Sequence, residues 1–127
     1  MAKKPQVPKP TTAEMNVLRL VWQLGPATAK QVHQEAVKER PEISYATVLR
    51  LLQIMHTKGL LTRDENQRSH IYAPAQPQDS LQTNLVKDLI QKAFAGSGKA
   101  LVMAALRSHV SKKERAEIEA LLREEKP

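Results

Sequence analysis

Apolar positions recur at helical spacing along most of this chain, and one stretch does so with both faces legible. Between Ile43 and Leu61 (ISYATVLRLLQIMHTKGLL) Val48, Leu51, Leu52 and Met55 fall on the single stripe of a half-buried helix. Ser44 is the expected N-cap, because its hydroxyl can accept a bond from a backbone N–H that the first turn leaves free. Ile43 and Val48 stand where a hydrophobic staple would set the direction of the incoming chain. Gly59, behind Lys58, predicts the stop, since glycine takes the left-handed conformation without steric penalty. Ala46, Arg50, Gln53 and Thr57 lie on the opposite face, with Thr47 and Ile54 on one flank.

Upstream, Thr11 and Glu14 have capping-box spacing and predict a helix to about Leu24, with Met15, Leu18, Val21 and Trp22 inward and Val17 and Leu24 at its borders. Gly25-Pro26 ends it. Thr28 and Gln31 repeat the signature, for a second helix to about Arg40 with Ala29, Val32 and Ala36 inward; Pro41 closes it. Downstream of Gly59, Leu60 to Glu65 and Arg68 to Ala73 read as strands around an Asn66-Gln67 turn. The tip of this hairpin is expected to carry Arg63, Asn66, Gln67, Arg68, Ser69 and His70. Three helices followed by a basic hairpin is the order of a winged helix-turn-helix, in a mainly α chain.

After Pro74-Ala75-Gln76-Pro77 the pattern is wholly helical. Leu81, Leu85, Leu89 and Phe94, with Val86 and Ile90, form a broad apolar face that Gly96 interrupts. Ala100 to Leu106, including Leu101, is apolar nearly all round. Ser111 and Glu114 give a third capping box, for a helix with Ile118, Leu121 and Leu122 inward. About 50 residues are too few to bury so wide a surface by themselves. A two-fold interface is the natural solution, with Leu81, Leu85, Leu89, Phe94, Leu101, Ile118 and Leu121 in it. The expected organisation is a disordered basic arm (1–10), a winged-helix domain (11–75) and a helical dimerisation domain (76–127), assembled as a homodimer.

Charge gives the outward face a meaning. The 127 residues carry a formal +7. Residues 1–73 hold 11 basic and 6 acidic side chains, a net of +5, against 9 and 7, a net of +2, in 74–127. A basic first half points to nucleic acid, and only 3% aromatic residues leave few rings for stacking on single strands. In a major groove Arg can take guanine O6 and N7, Gln can take adenine N6 and N7, and Ala or a Thr methyl can touch the thymine methyl. The competing readings are a solvated helix face, a winged helix used only for protein contacts, and a ligand-sensing winged-helix regulator. The last would place a long dimerisation helix where this sequence has a Lys/Pro arm.

Other chemistry is not signalled. Cysteine is absent, and His33, His56, His70 and His109 lack ligand spacing, so neither a metal nor a cofactor is expected. No nucleotide loop or nucleophile elbow points to an enzyme. No apolar run reaches the roughly 18 residues of a spanning helix, and MAKKPQVPKP lacks the apolar core of a signal peptide. No membrane insertion is expected, and the cytoplasm is the expected location.

SYATVLRLLQIMHTKGLLTRDENQRSHIYAPA resembles the signature of the penicillinase-repressor family of bacterial transcription regulators. That family carries a Y-x-T-V-x-x-L-L recognition helix, a K-G-L/F turn and an R-x-x-x-Y-x-Y-like wing. TTAEMNVLRLVWQLGPATAKQV is similar to its opening, and the likeness runs over about residues 11–125. The resemblance implies an N-terminal winged helix, a C-terminal three-helix dimerisation domain, and a repressor that binds palindromic operator DNA as a homodimer. It puts base reading on Ala46, Thr47 and Arg50, with Tyr45 at the helix start, and wing contacts on Arg63, Arg68, Ser69 and His70. To these the outward stripe adds Gln53. Gln53-Ile54-Met55 stands where many members have a basic residue followed by Leu, so the operator sequence does not carry over. Some members are cut at an Asn-Phe bond by a membrane-bound sensor protease, a partner the resemblance brings in; Ala104-Ala105 falls near that position. The copper-responsive branch uses C-terminal cysteines, which this sequence lacks.

Overall fold

The computed structural model describes residues 9–124, so most of the expected basic arm lies outside the described residues. The elements are α1 (Thr12–Leu24), β1 (Ala27–Thr28), α2 (Ala29–Glu39), α3 (Tyr45–Thr57), β2 (Leu61–Asp64), β3 (Ile71–Pro74), α4 (Gln78–Ala93), α5 (Gly98–Ser108) and α6 (Lys112–Glu124). The chain forms two compact units, Met1–Gln82 and Thr83–Pro127.

In the first unit local chemistry fixes the helix ends. The Thr11 amide donates to Glu14 Oε1 at 2.8 Å while the Glu14 amide donates to Thr11 Oγ1 at 3.1 Å. Thr28 and Gln31 make the same reciprocal pair at 2.9 and 3.2 Å. Ser44 Oγ accepts from the Thr47 amide at 3.1 Å. α3 ends in a Schellman motif: Gly59, at φ 85°, donates to His56 O, and Leu60 donates to Met55 O.

The core joins Leu18 and Val21 of α1, Val32 of α2, Val48, Leu52 and Met55 of α3, Leu61 and Tyr72. The inward stripe of α1 differs from the expected one. It runs Glu14, Val17, Leu18, Val21 with Leu20 alongside, whereas Met15 and Trp22 are half-buried and Leu24 is exposed. A carboxylate takes an apolar position in that stripe, and this displaces a reading based on apolar periodicity.

The three strands pair antiparallel in the order β1-β3-β2. β1 has no sequence counterpart in the pattern above; it pairs Ala27 with Tyr72 and Thr28 with Ile71. The β2-β3 register ends at Asp64 opposite Ile71, so residues 65–70 form a loop in place of the expected tight turn at Asn66-Gln67. Asp64 Oδ1 starts that loop by accepting from the Asn66 amide at 2.9 Å.

In the second unit Ser97 caps α5 and Ser111 with Glu114 forms a capping box on α6. α4 stops where Ala95 and Gly96 both take positive φ. Neither α5 nor α6 buries a residue fully within one chain. Ile118, Leu121 and Leu122, expected inward, are exposed, as is Leu89, while Leu85, Phe94 and Leu101 are half-buried. Leu81 differs in the other direction. It is only 7% exposed within the single chain and belongs to the first unit.

Candidate nucleic-acid interface

α3 presents Ala46, Thr47, Arg50 and Gln53 exposed, with Tyr45 46% exposed in its first turn. The Thr47 hydroxyl lies 2.9 Å from Ser44 Oγ and so serves the helix cap. Thr57 donates back to Gln53 O at 3.1 Å. Among the described residues Arg50 and Arg68 have no acidic partner, so both guanidinium groups stay available to an external anion.

Arg68, Ser69 and His70 stand exposed in the 65–70 loop, as expected of a wing tip. Arg63 does not join them. It sits in β2 opposite the buried Tyr72, pairs with Glu65 Oε1 at 2.7 Å, and keeps only 22% of its side chain exposed. The Tyr72 side chain across the ladder and the Glu65 charge, against partial desolvation, hold the guanidinium above its ordinary pKa. The pairing register explains the displacement: a longer loop leaves Arg63 inside the ladder.

A cleft of about 210 Å³ joins these elements. Tyr45, Leu49 and Gln53 of α3 form one side, and Arg68, Ser69 and His70 of the wing form another, with Tyr72 beside them. The start of α2 closes it through Thr28, Ala29 and Lys30. Five residues named from sequence therefore converge here (Tyr45, Gln53, Arg68, Ser69, His70), while Ala46, Thr47 and Arg50 lie elsewhere on α3. Sequence reasoning missed Lys30; a lysine in the first turn of α2, beside the capping box, was the available signal.

The opposite end of α3 is held to α1. Lys58 Nζ donates to both oxygens of Glu14, at 2.7 and 3.0 Å. Burial works to raise the Glu14 pKa, but the Lys58 hydrogen bond, the Thr11 amide and the Lys58 charge outweigh it, and the carboxyl ends below its ordinary value.

The family model described as penicillinase repressor matches residues 10–124. The chain belongs to that family. It is 35% identical over 81 residues to the transcriptional regulator BlaI of Mycobacterium tuberculosis, in both strain CDC 1551 / Oshkosh and strain ATCC 25618 / H37Rv. That match takes in 63% of this chain and 58% of each relative, so the chain spans under two thirds of their length. In fold it is similar to the solution structure of the DNA-binding domain of the repressor BlaI, at 23% identity and a TM-score of 0.52, over 59% of this chain and 90% of that one. The likeness identifies the first unit as a winged helix.

Two further features of this penicillinase-repressor family member bear on partners. Ala104 and Ala105 lie inside α5, where the Ser108 hydroxyl donates to Ala104 O at 2.7 Å and the His109 amide to Ala105 O at 2.8 Å. Among the described residues, no helix is long and apolar enough to cross a membrane, and no His/Asp/Glu group has metal-binding geometry.

Proposed function

We propose that this chain is a transcriptional repressor that binds palindromic operator DNA as a homodimer in the cytoplasm. α3 enters the major groove, and the 65–70 loop lies on the adjacent backbone. The observation that carries this is the convergence of Tyr45 and Gln53 with Arg68, Ser69 and His70 on one open cleft, with Arg50 exposed elsewhere on the same helix and without an acidic partner among the described residues. Arg50 can donate twice to guanine, and Gln53 can donate to adenine N7 while accepting from its N6 amino group; Arg68 and His70 suit phosphates. The exposed Leu89, Val102, Met103, Leu121 and Leu122 support a second copy as the cover for the C-terminal helices. A sensor protease acting near Ala104-Ala105 would first have to unwind α5, because both carbonyls are engaged there.

The test is binding to duplex DNA across a salt series. If two protomers neutralise about 6 to 10 phosphates, affinity falls by about 10³ to 10⁵ between roughly 50 and 200 mM salt. A salt-independent binding constant would refute the proposal.

A further inference from the structure

We propose that His33, on α2 and outside every surface described so far, is a positioning residue that presets Tyr45 and the start of the recognition helix. This rests on the DNA-binding reading above and deepens it.

His33 is half-buried and reaches across the turn between α2 and α3. Its Nε2 lies 3.0 Å from Ile43 O. A carbonyl can only accept, so Nε2 carries the proton and the ring's tautomer is set. Ile43 is the last residue before the Ser44 cap, and its own amide donates to Arg40 O at 3.0 Å. The bond from His33 therefore fixes the peptide from which α3 departs, and with it the direction in which α3 leaves the turn.

The same imidazole meets the Tyr45 ring edge-to-face, with centroids 5.9 Å apart and planes at 86°. Aromatic pairs favour that arrangement and distance. Tyr45 is otherwise open to solvent, and it lines the cleft together with Gln53 and Arg68. Without His33 its ring would be free to choose among rotamers, and DNA binding would have to order it. With His33 behind it, that ordering is complete before DNA arrives, which is how a preformed contact gains affinity. One imidazole thus holds both the helix start and its first exposed side chain, and it touches no DNA itself.

The intact protein is tested by fluorescence anisotropy on two probes: a duplex that the wild-type protein selects from a randomised pool, and poly(dI-dC). His33→Ala is expected to weaken the selected duplex by about 2- to 10-fold, the range that one aromatic pair contributes, and to leave poly(dI-dC) binding unchanged. In a Tyr45→Ala background the same change is expected to cost clearly less than in the wild type, because only the bond to the Ile43 carbonyl is left to lose. His33→Gln keeps a donor for Ile43 O without the ring. It should melt close to wild type and still lose the coupling to Tyr45, which separates positioning from simple destabilisation. Additive losses in the cycle, equal weakening on both probes, or no weakening would overturn the positioning role alone. A wild-type protein that selects no duplex would overturn the DNA-binding reading, and this inference with it.

Discussion

Replacing Lys58 with Met removes one charge and keeps most of the aliphatic stem, so it isolates the ion pair that ties α1 to the end of α3. Glu14 is 2% exposed, and it would keep only the Thr11 amide as a strong donor. Breaking a fully buried pair by removing one partner costs about 3 to 5 kcal/mol, because a charge is left without compensation. The Lys58 side chain is 27% exposed, so water already screens part of the attraction and can reach the carboxylate after the change. A loss of about 2 to 3 kcal/mol is therefore expected. For a unit of this size that is a fall of about 8 to 24 °C in Tm. Trp22, the single tryptophan, sits half-buried in α1 and reports unfolding of this unit by fluorescence in urea.

The pH dependence gives the sharper test, because its sign should reverse. In the wild type the Glu14 pKa is lowered from 4.5, so its contribution is present in full above that value and is lost as pH falls through the folded pKa. In Lys58→Met burial, the largest single influence on this carboxyl, is no longer opposed by the ammonium group. With only the Thr11 bonds left to oppose burial, the folded pKa is expected to rise above 4.5, and stability to be lost as pH increases through it. The gap between the two proteins should thus widen from about pH 4 towards pH 7. Adding Glu14→Gln to Lys58→Met removes the stranded charge and should recover part of the loss. A Lys58→Met protein with the wild-type pH slope, or a double variant no more stable than Lys58→Met, would refute this account.

Two predictions concern the proposed DNA complex. Arg50→Ala should cost about 1 to 3 kcal/mol on the selected operator and relax preference at one base pair per half-site, whereas Arg68→Ala should weaken all duplexes alike and lower the salt slope by about 1; quantitative gel-shift titrations on matched and altered sites separate them. Leu89→Asp with Leu121→Asp, both on the exposed apolar surface of the second unit, should turn a dimer into a monomer by sedimentation equilibrium. The same double change should reduce affinity for a two-half-site duplex by about 10² to 10⁴.

What could be read in the sequence was local. All three capping boxes rest on residues three apart, and each forms as the spacing predicts. The stop at Gly59 likewise depends on one residue's freedom to take positive φ. Of the apolar stripe on α3, Val48, Leu52 and Met55 are buried as expected, while Leu51 at its edge is half-buried. The missed features needed partners distant in the chain. β1 is two residues long, too short for any periodicity, and exists only because β3 pairs with it. In the sequence Glu14 reads only as the carboxylate of a capping box, until Lys58, 44 positions later, is brought against it. The position of Arg63 followed from the hairpin register, which neither its charge nor its neighbours in sequence encode. For the same reason Tyr45, Gln53 and the wing residues could each be named from sequence, while the cleft they share with Lys30 could not.

Thr28 has two duties: it is the last residue of β1, paired with Ile71 of the returning wing strand, and it is the cap of α2. The base of the wing is therefore fastened to the start of the helix-turn-helix, while residues 65–70 beyond the last cross-strand pair carry no part of the ladder. The loop can lengthen, shorten or change its charge by mutation without disturbing the core, whereas a change at Ala27 or Thr28 would disturb strand and helix together. Descendants of such a chain could explore new backbone contacts in the loop one residue at a time, and the scaffold that aims α3 would be inherited unchanged.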